Sequence, residues 1–350
     1  MKTTLLAGFF VLPGIFANAQ NLIQNEKQAG VHYKIANRIK VEGNLGWDYC
    51  VVDEEANTLY VSHGTKVDVI DLKTSKELDS IPNTKGVHGI ALAHDLKKGF
   101  ISAGKDTAVV VFDLKTHATL ARIKTTGNNP DAIIYEPTTH RVFTFNGKSN
   151  NSTVIDAKTN EVIGTIDLDG KPEFCVADGK GKLFVNIEDK SEIAEIDAST
   201  MKLLKEWSVA PGEGPSGLAI DLKKHRLFSV CDKMMVVSDA EKGAVLTTVT
   251  IGDGPDAVTF DPEKMRIYSS NGDGTMTVVS DSAGTYKVLE NVTTQRRART
   301  MAINTKTHHL YLPVAEFMPL HPVRAGIEKP KPTPKPGTFV VLDVVPVDEK

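Results

Sequence analysis

Cysteine is scarce in this chain. Cys50, Cys175 and Cys231 make an odd count, with no CxxC pair and no metal-type spacing. A disulfide scaffold and a thiol redox motif are excluded on that basis, and the absence of CxxCH argues against a haem domain. Cys50 and Cys175 fall at the same point of a repeat, inside an apolar strand, where a thiol acts as a small hydrophobe. Neither HxH nor HExxH occurs, and no GxSxG marks a serine nucleophile. Gly104-Lys105, Gly147-Lys148 and Gly252-Asp253-Gly254 lead into no helix, so they read as hairpin glycines and not as phosphate loops. An excess of one charge is missing too. The formal charge is −3, which implies no general attraction to nucleic acid or to an anionic membrane. One basic cluster stands out, Arg296-Arg297-Ala298-Arg299.

Long apolar runs are also lacking. The stretch from Leu5 to Phe16 is too short to span a bilayer. With Lys2 before it and Ala17-Asn18-Ala19 after it, residues 1–19 read as a secretory signal cleaved after Ala19. No cysteine stands at the cleavage point to take a lipid. The expected product is an exported chain, periplasmic or secreted, with no membrane span after cleavage.

What the sequence does have is repetition. An aspartate closes an apolar run at Asp71, Asp113, Asp156, Asp197, Asp239, Asp281 and Asp343. The spacing is about 42 residues, except for a last interval of about 62. Each unit carries four strand-like runs, a to d, separated by turn residues. In the second unit these are Ile90–Ala93, Phe100–Ala103, Val109–Phe112 and Thr119–Ile123. Several short strands per unit at this period specify an all-β seven-bladed propeller with four-stranded antiparallel blades, one domain over residues 20–350. The recurring aspartate needs no chemistry to explain it, because its carboxylate can accept backbone N–H groups of the turn that follows.

The last unit has strands at Met301–Ile303, Leu310–Val314 and Thr338–Leu342 but lacks a fourth. An unassigned strand, Val31–Val41, waits at the other end. Placing it beside Phe339–Leu342 would close the ring and cover an open edge. The long interval holds a Pro-rich insertion, residues 317–337, between strands b and c of blade 7.

Leu59-Tyr60-Val61-Ser62-His63, Val142-Phe143-Thr144-Phe145-Asn146 and Ile267-Tyr268-Ser269-Ser270-Asn271 resemble one family pattern. With Val69-Ile70-Asp71 and Val154-Ile155-Asp156, they make the chain similar to the YVTN-repeat seven-bladed propellers, the YncE-like exported proteins. The resemblance covers essentially all the mature chain and implies a fold, since one propeller scaffold carries unrelated functions. His63 stands where the pattern has asparagine, and blades 4 and 5 depart from it at Asn186-Ile187-Glu188 and Val230-Cys231-Asp232.

Strand direction places the candidate site. In an antiparallel meander the d–a and b–c connections share one face of the disc. The residues just before strand a then form a ring at the channel mouth: Asp48, His88, Asp131, Glu173, Ser216, Asp256 and Arg299. The b–c connections add His63, Asn146, Glu188, Asp232, Asn271, Asp273 and Glu316, and the 317–337 insertion emerges on the same face. Turns favour Asp and Asn in any case, yet polar groups converging on a concave site are the default binding hypothesis. The ring is accordingly expected to bind a small polar molecule, a cation or a periplasmic protein, without catalysis, in a monomer. No cofactor is evident and no metal ligands are assigned, although crowded carboxylates could recruit a divalent cation.

Two alternatives accompany this reading. A lactone or ester hydrolase would use His88 as base and Arg299 as anion anchor, as lactonases occur among related propellers. An interaction scaffold would dock an envelope partner through 317–337. The other histidines are expected to be mostly solvent-exposed turn residues.

Overall fold

The computed structural model describes residues 32–43, 46–319 and 332–347. The expected signal segment, and residues 320–331 of the insertion, lie outside the described residues. Seven antiparallel four-stranded sheets make up the ring. Their innermost strands are Trp47–Asp53, Val87–Ala93, Pro130–Glu136, Pro172–Ala177, Leu218–Asp221, Pro255–Asp261 and Ala302–Asn304. Each packs against the next, and Ala302–Asn304 packs against Trp47–Asp53.

The reason these stretches become blades is visible in what they bury. Each of seven apolar clusters lies between two neighbouring blades. Tyr60, Val67 and Val69 of blade 1, for example, meet Ile101, Val110 and Phe112 of blade 2. Strands b and c are covered on both faces, so they read as unbroken apolar runs such as Thr58–His63, in which every residue is buried. Strand d is outermost and alternates, as in Lys202–Ser208.

The periodic aspartates act as turn caps. Asp71 Oδ1 accepts the N–H groups of Lys73 at 2.7 Å and Thr74 at 3.3 Å, and Asp239 Oδ1 does the same for Glu241 and Lys242 at 3.0 and 2.9 Å. These bonds hold the carboxyls of Asp71, Asp113, Asp156 and Asp197 below their ordinary range. Asp343 differs. It lies inside the strand Val340–Val347, accepts from His309 Nδ1 at 2.9 Å, and burial raises its carboxyl. That strand runs further than the Thr338–Leu342 expectation, because it has a partner along its whole length. The partner is His32–Lys40, antiparallel, with Arg38 opposite Leu342 and Lys40 opposite Val340. The sheet order therefore places the N-terminal strand outermost in blade 7, beside the residues expected.

Cys50, Cys175 and Cys231 are all free. Burial pushes up the thiols of all three, which suits their packing role. The histidines of the opposite face are less exposed than expected. His308 is 12% exposed and its Nδ1 lies 2.7 Å from Asp261 of the neighbouring blade, while His117 is 14% exposed and sits 3.1 Å from Asp79. His117 and His308 bridge blades instead of standing in solvent.

Candidate functional site at the channel mouth

Strand a does not pair evenly with strand b. In blades 1, 2, 3, 4 and 6 the register shifts between the first residue of strand a and the rest. The breaks lie at 47/50, 87/90, 130/133, 172/175 and 255/257. Asp48, His88, Asp131, Glu173 and Asp256 occupy these irregularities. A bulge releases a residue from the ladder and re-aims its side chain, so the fold delivers one ionisable group per blade to the same mouth. Strand-b hydroxyls fix the bulges. Ser62 Oγ accepts from Asp48 N–H at 3.1 Å and donates to Tyr49 carbonyl at 2.9 Å. Hydroxyls also stitch blade to blade: Thr300 and Ser216, each just before its strand a, donate to Asp48 carbonyl at 2.8 Å and Pro255 carbonyl at 3.1 Å, and Ser102 of strand b donates to Asp131 carbonyl.

His88 Nδ1 lies 2.6 Å from Asp48 and 3.7 Å from Asp131, so blades 1, 2 and 3 meet at one imidazole. Ligand-capable atoms of these three residues all fall within 4.8 Å of one another. Lys171 lies 2.6 Å from Glu173 and also pairs with Glu188. Arg299 Nε lies 3.2 Å from Asp256. Tyr49 and Phe174, next to Asp48 and Glu173, meet across the channel with ring centroids 5.3 Å apart and an edge-on geometry. Asp131, Asp48, Glu173 and Asp256 all act on the Tyr49 hydroxyl, which burial first and then these carboxylates raise well above its ordinary value.

Electrostatics at the mouth are strained in one direction. Burial pushes the Asp131 carboxyl up to about 6, against the pull of His88, with Asp48 adding repulsion. Burial likewise lifts Glu173 to about 7 despite its bond to Lys171, and Asp256 to about 7 despite Arg299. Burial works against a charged His88, but the Asp48 bond and the Asp131 charge outweigh it and raise the imidazole to about 8. The site holds more carboxylates than it has cations to satisfy them.

Several expected members are not at this surface. His63 is 1% exposed, with Nδ1 2.8 Å from the buried Asp68 and its ring 4.2 Å from that of Phe339. Asn146 and Asn271 are fully buried. Their Nδ2 groups donate to Thr153 and Thr277 at 3.0 and 3.1 Å, tying strand b to strand c. All three are internal clamps. Asp232 is exposed in its turn, and Glu316 pairs with Lys335 at 3.0 Å at the root of the insertion. That root is a short antiparallel neck, with Phe317 bridged to Pro334 and Met318 N–H donating to Thr333 carbonyl at 2.9 Å. Sequence reasoning missed Tyr49, Phe174 and Lys171, which flank the ring residues by one position or two. The Pro130-Asp131, Pro172-Glu173 and Pro255-Asp256 pairs were an available signal for the irregular start of strand a.

No protein-family model matches the chain. A YncE protein of Salmonella typhi, itself described as uncharacterized, is 32% identical over 95 residues, 27% of this chain and 26% of that protein. Antigen Lp49 of Leptospira interrogans is 21% identical over 264 residues, 72% of this chain and 58% of that one. The chain is an all-β seven-bladed propeller, similar over part of its length to a YncE protein and to Lp49. It spans about a quarter of the YncE protein and just over half of Lp49 in these matches. Among solved structures the propeller superposes on RRP9 WD40 repeats with a TM-score of 0.73 at 9% identity, covering 91% of this chain and 98% of that one. A chain of the mitotic checkpoint complex gives 0.69 at 14%, covering 89% and 96%. These two likenesses speak for the fold alone, and a propeller fold supports a binding or scaffold role in general. No helix among the described residues is long and apolar enough to cross a membrane.

Proposed function

We propose that this exported propeller is a non-catalytic binding protein whose channel mouth takes up a positively charged group, either a divalent cation or an ammonium carried by a ligand or partner. The observation that carries the reading is the meeting of Asp48, His88 and Asp131, from three blades, with ligand-capable atoms within 4.8 Å of one another, beside Glu173 and Asp256, whose charges act on the same Tyr49 hydroxyl. A cation entering there would relieve the mutual repulsion and displace the protons that the raised carboxyls hold near neutrality. His88 and two carboxylates supply a mixed nitrogen–oxygen set for an ion, and an ammonium would meet the same oxygens.

The hydrolase reading draws on the Asp48–His88 pair, since a carboxylate commonly orients a catalytic imidazole. It fits less well. An imidazole raised to about 8 is protonated at neutral pH and a poor base. Its Nε2 packs so closely on Gly104 that a Cβ there would lie 2.7 Å away. The proposed anion anchor, Arg299, is engaged with Asp256.

Calorimetric titration with MnCl2, CaCl2 and spermidine near pH 6.5 tests the proposal. At least one should bind, with an apparent enthalpy that changes with the buffer's ionisation enthalpy because protons are released. Asp131→Asn combined with Glu173→Gln should weaken that binding at least tenfold. Failure of all three to bind, or equal binding by the double variant, contradicts it.

A further inference from the structure

Beside the carboxylate cluster, a separate cavity of about 500 Å³ opens at the seam of blades 6, 7 and 1. Its walls include Trp47, Asp48, Arg296, Arg297, Arg299 and Phe317. Its volume falls within the range of small-molecule sites. A second cavity of about 520 Å³ adjoins it and shares Arg296, Arg297 and Phe317.

The chemistry here is opposite in sign to that of the channel. Three guanidinium groups come from one four-residue run, and among the described residues only Arg299 has a carboxylate partner. The Arg297 guanidinium lies over the Phe317 ring, 4.5 Å from its centroid. This contact orients the plane of the group and leaves its N–H edges for another acceptor. The backbone beneath is fixed as well. Arg297 has a φ of 73°, in the left-handed region, and its N–H donates to Gly272 carbonyl at 2.9 Å, while Ala298 N–H donates to Gln295 carbonyl at 2.9 Å. A non-glycine residue held there is preorganised by its surroundings.

An aromatic wall completes the cavity. Trp47 is half-buried, with its ring centroid 5.8 Å from Phe317 and 5.4 Å from Phe339. Planar guanidinium groups beside an indole and a phenyl ring match a ligand with two parts, an oxyanion and a flat apolar body. Asp48 lines the cavity and would repel negative charge carried elsewhere on the ligand, so the match is to a compact anion with one oxyanion group and not to an extended polyanion.

We infer that this cavity binds a small aryl or similarly flat organic anion, its carboxylate or phosphate held by Arg296 and Arg297 and its apolar body laid against Trp47 and Phe317. The site goes beyond the cation reading and shares only Asp48 and Arg299 with that cluster.

Ligand-observed NMR titrations with phenylacetate, phenylphosphate and the uncharged 2-phenylethanol test it at pH 7. One or both anions should bind, and the better of the two identifies carboxylate or phosphate as the recognised group. 2-Phenylethanol should bind at least tenfold more weakly. Arg297→Gln and, independently, the more exposed Arg296→Gln should each weaken the anion about tenfold, Trp47→Leu should weaken it severalfold, and added salt should do the same. Anion binding without cation binding, or cation binding without anion binding, separates this inference from the cation reading. The inference is overturned if neither anion binds, if 2-phenylethanol binds as well, or if both arginine variants bind like the wild type.

Discussion

Asn146 and Asn271 show how a polar residue at a strand end can belong to the core. Each is the last residue of strand b, each donates across to strand c, and each has a glycine of the incoming d–a connection packed on it, Gly127 and Gly252 respectively. A Cβ on Gly127 would lie 2.8 Å from Asn146 Nδ2, so the approach requires glycine. The clamp predicts a stability effect without a binding effect. Asn146→Ala should cost about 1–3 kcal/mol, read from the urea midpoint, because Thr153 and Asn151 lose their buried partner. Cation binding at the mouth should be unchanged. An unaltered midpoint would mean the asparagine holds nothing. The sequence reading grouped such a clamp with turn residues such as Asp232, although Asn146 is the last residue of its strand and Asp232 follows the last residue of its own, Cys231.

At the scale of elements, legibility followed the range of the interaction. Turn aspartates, strand alternation and the unpaired strand at each chain end are local signals, and the blades and the pairing of His32–Lys40 with Val340–Val347 were readable from them. The bulges carried a local signal only in blades 3, 4 and 6, where a proline precedes the ring residue, and blades 1 and 2 bulge without one. The meeting of Tyr49 with Phe174 was not readable, because it joins residues far apart in sequence across the ring. The N-terminal strand also carries side-chain anchors. Tyr33 is 6% exposed, and its hydroxyl lies 2.8 Å from Tyr268 Oη and accepts from Arg266 at 2.9 Å. Tyr33→Ala should therefore destabilise the propeller by about 3–5 kcal/mol, as for other large aromatic truncations in a core. Guanidinium denaturation would measure this. A loss below about 1 kcal/mol would show that the strand is a loose appendage to blade 7.

For the whole molecule, the mouth couples folding to pH. Asp131, Glu173 and Asp256 have folded values raised to about 6, 7 and 7, and His88 to about 8. The sign is the same for all four: the folded state binds the proton more tightly than the unfolded chain. For the carboxyls, the stabilisation is complete below about pH 4 and is lost as pH rises through 6 to 7; for His88 it is lost between about 6.5 and 8. The turn-capping aspartates work the other way, but their lowered values confine their loss to more acidic solution. Stability should accordingly peak on the acidic side of neutrality. Each crowded carboxyl should contribute on the order of 1 kcal/mol to the decline, and a bound cation should abolish it. The most direct measurement is the unfolding free energy at pH 5 and at pH 8, for the wild type and for Asp131→Asn/Glu173→Gln/Asp256→Asn. The account predicts that the wild type loses stability over this interval, and that the triple variant loses far less and is the more stable protein at pH 8. A wild type equally stable at both values, or a triple variant with the same slope, would contradict the crowding on which the binding site depends.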